Sequence, residues 1–404
     1  MQVVEQHIIG RNDTRYAVID AAAFASKNLY NAANYLVRQT FIYTGVWLHY
    51  ETVYHQMKTH EAYHALPTKV SQQVMKLLDK NWKAYLEACK AWNEAPGKFL
   101  GHPKLPKYKD KQKGRNILVY TIQAMSKTGL KRGVIAPSGL AIEVKTQHTN
   151  VDCVRIIPRN GYYVVEVVYK REVQPASVDP ALVAAIDLGV NNLATLTSNK
   201  VGFIPRLVNG RPAKSVNQFY NKQHEPIQKE LGPHRHTSRR MEHLMNTRTR
   251  RIDHYLHTAS KRIIHLLVQE SISTLVVGLN PLWKQDPTMS KQQAQHFVQL
   301  PHKRFIDMLT YKATLVGIRV IVREESYTSK ASFLDLDDIP TYGKLEQEPV
   351  FRGHRVKRGM YRASGKRYIN ANVNGSYNIL RKVVPDAVCK GIEGMVVCPR
   401  RLCV

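Results

Sequence analysis

The sequence lacks paired cysteines. Five cysteines are scattered over 404 residues, and no two of them form a C-x-x-C pair. Their odd number argues against a disulfide framework, and the three that fall in the last sixteen residues do not have the spacing of a zinc site. We therefore expect reduced, mostly structural thiols at Cys89, Cys153, Cys389, Cys398 and Cys403.

The sequence also lacks an apolar run of transmembrane length, and the segment Met1–Gly10 is not a signal peptide. Acidic residues are scarce, because 31 Asp plus Glu stand against 60 Lys plus Arg, for a net charge of +29. Such an excess of one sign indicates a polyanionic partner; the alternative is a basic protein that is merely soluble. We expect a cytoplasmic protein with no membrane partner.

The first quarter of the chain, from about residue 14 to 100, is predicted to be helical, because its apolar residues recur at helical spacing. The composition changes at Gly101, where the stretch GHPKLPKYKDKQKGR holds six Lys or Arg and one Asp. Lysines spaced around an aromatic ring suit a phosphate backbone with an unstacked base; a merely solvated loop is the alternative. The candidate nucleic-acid-binding residues here are Lys104, Lys107, Tyr108, Lys109, Lys111, Lys113 and Arg115.

Residues 116–171 are predicted to form short strands. The runs NILVYTIQAM, LAIEVKT, VDCVRIIP and GYYVVEVVYK are rich in β-branched and aromatic residues and are separated by Gly and Pro. They indicate a small barrel or sandwich, to which the helical segment is inserted or appended.

A second unit is predicted to begin after Pro175. The buried strand ALVAAIDLGV is followed by LATLTSN and VGFIP, which can complete a meander, and then by a polar, basic connection over residues 209–240. Arg239–Gln269 is predicted to be a long helix whose exposed face carries Arg248 and Arg251, as a solvated face or as nucleic-acid contacts. Next come a strand TLVVGLN, a helix over 297–316, a strand IRVIVREES, an irregular segment over 334–368 and a closing helix NVNGSYNILRKVV. The basic run in the irregular segment adds Arg355, Lys357 and Arg358 as candidate contacts.

This order of strands and helices is that of a ribonuclease-H-like fold. Metal-dependent nucleases with this fold collect carboxylates from distant segments, because two divalent cations must be held roughly 4 Å apart. Asp187 in AIDLG ends an apolar strand before Gly and is the candidate first ligand; a turn-capping Asp is the alternative.

Several motifs, in the correct order, resemble the TnpB nucleases of insertion sequences, the presumed ancestors of type V CRISPR effectors. They are AIDLGVNNLATLTSN, VVGLNPLWKQ, EESYTSK, INANVNGSYNI and KGIEGMVVCP, with LPKYKDK and GRNILVYT resembling the family's wedge domain. The resemblance implies an α/β multi-domain protein, with a wedge β-barrel (1–13 and 101–175) and a helical recognition lobe (14–100). It also implies a RuvC (ribonuclease-H-like) domain (176–328 and 368–404) with a degenerate zinc-ribbon, target-strand-loading insertion (329–367). The implied partners are a guide RNA and target double-stranded DNA with a short flanking motif.

The chain departs from this family at the residues that carry the chemistry. Where the family has Asp in the pattern N-A-D-V-N, this chain has Asn372. Gly278 stands at the position where the family's usual Glu would fall. A subgroup resembles this chain in moving that acid to E-E-S-Y-T-S-K, so Glu324 or Glu325 is the candidate; two exposed glutamates are the alternative. Strand alternation sends one of the two inward.

This chain also lacks the cysteines that the family has in its zinc ribbon. Ala331 stands at the first cysteine position, residues 332–388 contain no cysteine, and we interpret His302 and His354 as surface histidines. We expect no zinc.

Three functions follow as alternatives. The first is guide-RNA-directed DNA binding without efficient cleavage, which represses transcription by occluding a promoter, as in nuclease-dead TnpB-like repressors (TldR). The second is a slow Mg-dependent RNA-guided endonuclease that uses Asp187 with Glu324 or Glu325. The third is a general RNA-binding protein. In the first of these functions, the nuclease site is vestigial, and any Mg²⁺ that it binds is not catalytic.

Overall fold

The structure, a computed structural model, describes residues 1–233, 235–280, 299–341, 349–357, 359–385 and 396–404. It divides into two compact units, Met1–Arg171 and Glu172–Val404. Within the described ranges, no helix is both long enough and apolar enough to cross a bilayer.

The helices of the first unit confirm the helical prediction for residues 14–100. They share a core in which Leu29 and Ala33 pack with Leu78 and the fully buried Trp82, whose indole N–H donates to Asn34 at 3.0 Å. The first long helix ends where Gly45 adopts a φ of 70°, the left-handed conformation in which glycine carries no Cβ penalty. The helices are α1 (Tyr16–Thr44), α2 (Tyr50–Met57), α3 (Glu61–His64) and α4 (Thr68–Glu94).

The strands of the first unit form a four-stranded antiparallel sheet and a separate two-stranded ladder. The elements are β1 (Gln2–Gly10), β2 (Leu118–Thr121), α5 (Lys127–Lys131), β3 (Val134–Ile135), β4 (Val144–Lys145), β5 (Val151–Arg159) and β6 (Tyr162–Lys170). The sheet order is β1-β6-β5-β2, and β3 pairs with β4. Residues 2–10 therefore join the sheet of residues 118–170, although they are far away in the chain. The strands β1 and β2 are its two edges.

The second unit is built on a six-stranded sheet. Its elements are β7 (Asp179–Leu188), β8 (Asn192–Ser198), β9 (Arg206–Asn209), α6 (Arg211–Leu231), α7 (Arg239–Gln269), β10 (Ile272–Gly278), α8 (His302–Leu315), β11 (Arg319–Arg323), β12 (His354–Lys357), β13 (Met360–Arg362), β14 (Tyr368–Asn370), α9 (Ala371–Arg381) and β15 (Arg400–Leu402). The order is β11-β10-β7-β8-β9-β15. Strands β7, β8 and β9 form an antiparallel meander, and β10 and β11 run parallel to β7. This is the predicted ribonuclease-H-like arrangement.

The two faces of this sheet are covered by different helices. Because side chains alternate along a strand, Ala184 and Ile186 pack under α7 and α8, whereas Val183 and Ala185 pack under α9. Asp187 continues the second series and therefore lies on the face that α9 covers.

Three of the element predictions were wrong. VGFIP is not a strand, since Gly202 turns the chain at a φ of 75° and the third strand begins only after Pro205, which has no N–H to donate. Residues 209–240 contain the helix α6, whose Pro212 lies in the first turn, where its missing N–H costs nothing. The segment predicted to be irregular over 334–368 contains the small sheet β12-β13-β14. The strands are only three or four residues long, and the helix is strongly polar and basic, which weakens their signal in the sequence.

Candidate functional site

Asp187 lies at the end of β7, under the first turns of α9. A Cβ built on Gly375 would approach the Asp187 carboxylate oxygen Oδ2 to 3.1 Å, so the glycine lets the helix pass directly over this acid. Burial raises the pKa of Asp187 to about 7, and the Arg355 guanidinium opposes that rise. Asp187, the predicted first ligand, is thus a half-buried carboxyl that is partly protonated near neutral pH.

Gly278 comes beside Asp187 on the neighbouring strand. The parallel register pairs Val277 with Ile186, so the next residue of each strand falls side by side on the α9 face. A side chain at 278 would collide with the carboxylate of Glu325 and would meet Ile379 Cδ1 at 2.5 Å. The Glu325 carboxylate therefore occupies the space that a side chain at position 278 would fill.

Glu325 is the glutamate that faces Asp187. Its Oε2 atom is buried and has no hydrogen-bond partner in the described part of the chain. Burial, together with the charges of Asp187 and Glu324, raises the pKa of Glu325 to about 8, against an opposing effect of Lys382. An unpartnered, repelled carboxylate of this kind is open to a proton or to a cation.

The Glu324 side chain contacts Lys382 and Ser326 instead of Asp187. Its Oε2 accepts from the Lys382 ammonium at 2.7 Å, and its Oε1 accepts from the Ser326 amide at 2.6 Å. Burial opposes ionisation, but these hydrogen bonds outweigh it and lower the pKa of Glu324. Of the two glutamates that the sequence left as alternatives, only Glu325 is brought to Asp187; its role stays a prediction.

Asn372 lies in the first turn of α9. The helix is capped by the side chain of Asn370, whose Oδ1 accepts from the amides of Asn372 at 3.0 Å and Val373 at 3.3 Å. Residues three apart share a helix face, so Asn372 and Gly375 lie on the same side, the one that meets Asp187. The amide at 372 brings no charge to this face, which leaves two carboxylates there.

Buried polar residues fix α9 on the sheet, and sequence reasoning missed their role. Ser376 Oγ donates between the carbonyls of Ala185 and Thr195, each at 3.0 Å, and lies 2.9 Å from Thr197 Oγ1. Asn378 Nδ2 donates to the carbonyls of Thr328 and Ala331 at 2.9 and 2.8 Å. Ser376 and Asn378, which lie beside the apolar Ile379 and Leu380 in this helix, were the available signal.

The residues at this site fit one divalent cation better than two. Two carboxylates and an amide oxygen are the hard oxygen donors that Mg²⁺ and Mn²⁺ take, with water completing the shell. A second cation would need further negative charge. Across the described ranges, no group of three or more His, Cys, Asp or Glu side chains is arranged as a metal site.

Two aspartates accept several hydrogen bonds within the segment that the sequence predicts to be an insertion. Asp335 accepts from Ser332 Oγ at 2.6 Å, from Ser364 N at 3.0 Å, from Arg367 at 2.5 Å and from Ser364 Oγ. Burial opposes ionisation, but the hydrogen bonds from Ser332 and Ser364 outweigh it and lower the pKa of Asp335 to about 2. Asp337 likewise accepts from Ser332 N at 2.8 Å and from Arg352 Nε at 3.0 Å. Oxygen and nitrogen groups of the chain itself close this segment.

The basic loop of the first unit is held along α1. Side chains of Lys27, Asn31 and Asn34 donate to the loop carbonyls of Lys111, Lys109 and Pro106 at 2.7, 2.8 and 3.0 Å. Four of the predicted lysines nevertheless remain exposed, at positions Lys104, Lys107, Lys111 and Lys113.

The other predicted residues of this loop have partners within the first unit. Arg115 forms a two-pronged ion pair with Asp20, at 2.9 and 2.6 Å. The Arg38 guanidinium lies 4.9 Å from the ring of the exposed Tyr108, and Lys109 Nζ lies 5.2 Å from the Tyr30 ring. Contact with nucleic acid stays a prediction for all seven residues.

The predicted basic residues of the second unit differ in exposure. Arg248 is half-buried and donates to Asn217 at 2.7 Å, whereas Arg251 on α7 is exposed. Arg355 and Lys357 on β12 are exposed, and Arg358 lies outside the described residues.

One of the two histidine predictions was wrong, and the described cysteines differ in exposure. His302 is 1% exposed rather than superficial, because it begins α8 against the sheet, with Nε2 lying 3.3 Å from the Gly189 carbonyl. His354 is exposed, as predicted. Cys89 and Cys153 are half-buried and free, Cys398 and Cys403 are exposed and free, and Cys389 lies outside the described residues.

Comparisons with known proteins find similarity in two segments of the sequence and in the fold. Residues 166–282 match the family described as probable transposase (OrfB_IS605), and residues 302–379 match the Cas12f1-like TNB domain. The fold is similar to that of a Cas12f1–sgRNA–target DNA complex solved by cryo-EM, with a TM-score of 0.55, 11% identity, and 90% of this chain and 82% of that chain covered. No curated protein matches the sequence.

Two further structures are similar at lower scores. The mini-RNA-guided endonuclease CRISPR-Cas_phi3 gives a TM-score of 0.48 and 8% identity over 95% of this chain and 92% of that one. The Alicyclobacillus acidoterrestris C2c1 complex with single-guide RNA gives a TM-score of 0.37 and 8% identity, with 89% of this chain and 65% of that chain covered.

These findings define the class by its fold: a mixed α/β protein whose fold is similar to that of Cas12f1. The resemblance to the TnpB family that the motifs predicted is confirmed over the matched segments, residues 166–282 and 302–379.

We predict that Asp335→Asn destabilises the protein by about 1–3 kcal/mol, because several donors lose their charged acceptor in a buried site. Thermal unfolding measures the effect, and Asp338→Asn, a change of the same kind a few residues away, is the control. Excess EDTA is expected to leave the melting temperature unchanged; a fall on adding EDTA would show that a metal holds the insertion.

We predict that the acidic site makes the protein less stable as the pH rises. Asp187 and Glu325 have folded-state pKa values of about 7 and about 8, above their ordinary values of 3.8 and 4.5, so the fold holds protons that the unfolded chain releases. The free energy of unfolding should therefore fall as the pH rises from about 4 to about 8, by several kcal/mol. Chemical denaturation at each pH measures it, and Asp187→Asn should flatten the curve; an equally steep curve in that variant would contradict the prediction.

Proposed function

We propose that this protein is a guide-RNA-directed DNA-binding protein that does not cut efficiently and represses transcription by occluding promoters, as a nuclease-dead TnpB-like repressor does. The observation that carries the proposal is the composition of the site: Asp187 and Glu325 stand with the uncharged Asn372 on one side of α9. A two-cation mechanism needs more anionic oxygen than two carboxylates supply. Losing one ligand charge typically costs several orders of magnitude in rate.

The units of the structure support a division of labour in this proposal. The sheet of β1, β2, β5 and β6 would serve as the wedge domain, formed by residues 1–13 and 101–175. The helices of residues 14–100 would serve as the recognition lobe. Residues 176–328 and 368–404 would be the RuvC-like domain, and 329–367 its insertion without zinc.

The proposed partners are a guide RNA and a target double-stranded DNA with a short flanking motif. The similar Cas12f1 structure is a complex with sgRNA and target DNA. The net charge of +29 and the exposed lysines of the loop beside α1 suit the backbones of such partners. In guided systems base pairing reads most of the sequence, so a basic protein surface without a base-reading code is sufficient. The proposed setting is the bacterial cytoplasm, on the nucleoid.

A second candidate function is a slow Mg-dependent endonuclease that uses Asp187 and Glu325. The observation that favours it is the position of Glu325, whose carboxylate takes the space of the missing side chain at Gly278 beside Asp187. An acid supplied from the end of β11 would then replace the usual acid of β10, and a single cation would polarise the phosphate with less charge than a pair supplies.

The deciding experiment purifies the protein with the RNA that it carries, sequences that RNA and adds a matched plasmid with Mg²⁺ or Mn²⁺. We predict one discrete RNA species with a variable 3′ end, tight binding to the matched plasmid and no efficient linearisation. We expect Asn372→Asp to introduce cleavage, with Asp187→Ala in the same background as the inactive control. Efficient linearisation by the unaltered protein would establish the second candidate, and sequence-indifferent RNA would reject guiding altogether.

We predict that the loop lysines bind phosphates. The double variant Lys107→Gln, Lys111→Gln should weaken binding to guide RNA and lower the slope of log K against log salt by about 0.7–0.9 for each phosphate that the variant no longer neutralises. Filter binding across a salt series measures the slope. Lys107→Arg, Lys111→Arg keeps the charge and should keep the slope; an unchanged slope in the glutamine variant would show that these lysines are only solvated.

A further inference from the structure

Lys382 is a buried ammonium beside the acidic site. Its side chain is only 7% exposed, and its Nζ atom lies 2.7 Å from Glu324 Oε2. A lysine is seldom buried to this degree without a charged partner, because the ammonium loses its hydration. Glu324 is that partner.

One face of α9 links Lys382 to the rest of the site. Gly375, Ile379 and Lys382, which caps the end of the helix, are spaced by four and three residues and therefore share a helix face. Gly375 lies over Asp187, Ile379 lies against Gly278, and Lys382 reaches Glu324 just after β11. The helix thus lies on β7, β8 and β10, and the residue that caps its end reaches the segment just after β11.

The two adjacent glutamates have opposite surroundings as a result. Both oxygens of Glu324 are engaged, by Lys382 and by the Ser326 amide. Glu325, the next residue, has its Oε2 buried without a hydrogen-bond partner among the described residues, over Gly278. Its backbone amide donates to Asn280 Oδ1 at 3.1 Å, which steadies the chain at this point.

We propose that Lys382 is a positioning residue that sorts the two glutamates: it holds Glu324 in an ion pair, leaves Glu325 to face Asp187, and so limits the site to a single divalent cation. This inference rests on the acidic site of the proposed function. Without the Lys382 charge, the Glu324 carboxylate loses its ion-pair partner and becomes available beside Glu325. The site can then hold cations more tightly.

The test measures Mn²⁺ binding to the nuclease-treated full-length protein by calorimetry and by electron paramagnetic resonance. Asp187→Asn defines the background. We expect Lys382→Met to raise Mn²⁺ affinity about 10-fold or more, or to add a second bound ion, and Lys382→Arg to behave as the unaltered protein. The double variant Lys382→Met, Glu324→Gln replaces the ion pair by a neutral pair and keeps the fold testable where the single variant unfolds.

The double-mutant cycle separates positioning from a merely structural role. Glu324→Gln alone should not raise the Mn²⁺ affinity, whereas in the Lys382→Met background it should abolish the gain. Glu325→Gln should abolish specific binding in every background. Equal Mn²⁺ binding with and without Lys382, or no binding in either protein, would overturn the proposal.

Guided binding to the matched plasmid is measured on the same variants. We expect the unaltered protein and Lys382→Arg, which carry the same charge at this position, to bind the matched plasmid equally. Loss of plasmid binding already in the unaltered protein would reject the proposed function and leave the Mn²⁺ result to be judged by itself.

Discussion

The contact between α9 and the end of β7 is the constraint on which the site depends. Ser376 donates into the sheet backbone, and Gly375 lets the helix approach Asp187 closely. Once the helix is fixed there, the positions of Asn372, Ile379 and Lys382 follow from helical spacing. The charge of the site is then set by the residues that this one face carries: an amide, a glycine, an isoleucine and a lysine.

This face makes the site nearly neutral without a bound cation. Asp187 and Glu325 repel one another in a half-buried space and hold protons near neutral pH, and Glu324 is compensated by Lys382. A strongly anionic pocket would repel the phosphates of a DNA strand that enters it. A neutral one tolerates them, and this suits a protein that holds DNA more than one that cuts it.

The larger elements and their order could be predicted from the sequence, because long amphipathic or continuously apolar segments carry their own periodicity. The helix Arg239–Gln269 and the strand that ends with Asp187 are examples. The position of β9 and the small sheet of residues 354–370 could not, since short polar strands depend on partners far away in the chain. Strand alternation left Glu324 and Glu325 undecided, because the chain leaves β11 at Arg323 and the choice is made by Lys382, 58 residues later. The burial of His302 and the pairing of Arg115 with Asp20 are likewise tertiary outcomes.

The most direct measurement is a cryo-EM map of the RNA-bound protein on its matched DNA in the presence of Mg²⁺. The account predicts intact DNA and no more than one ion between Asp187 and Glu325. A map with two ordered ions bridging a DNA phosphate at these residues and Asn372 would contradict it.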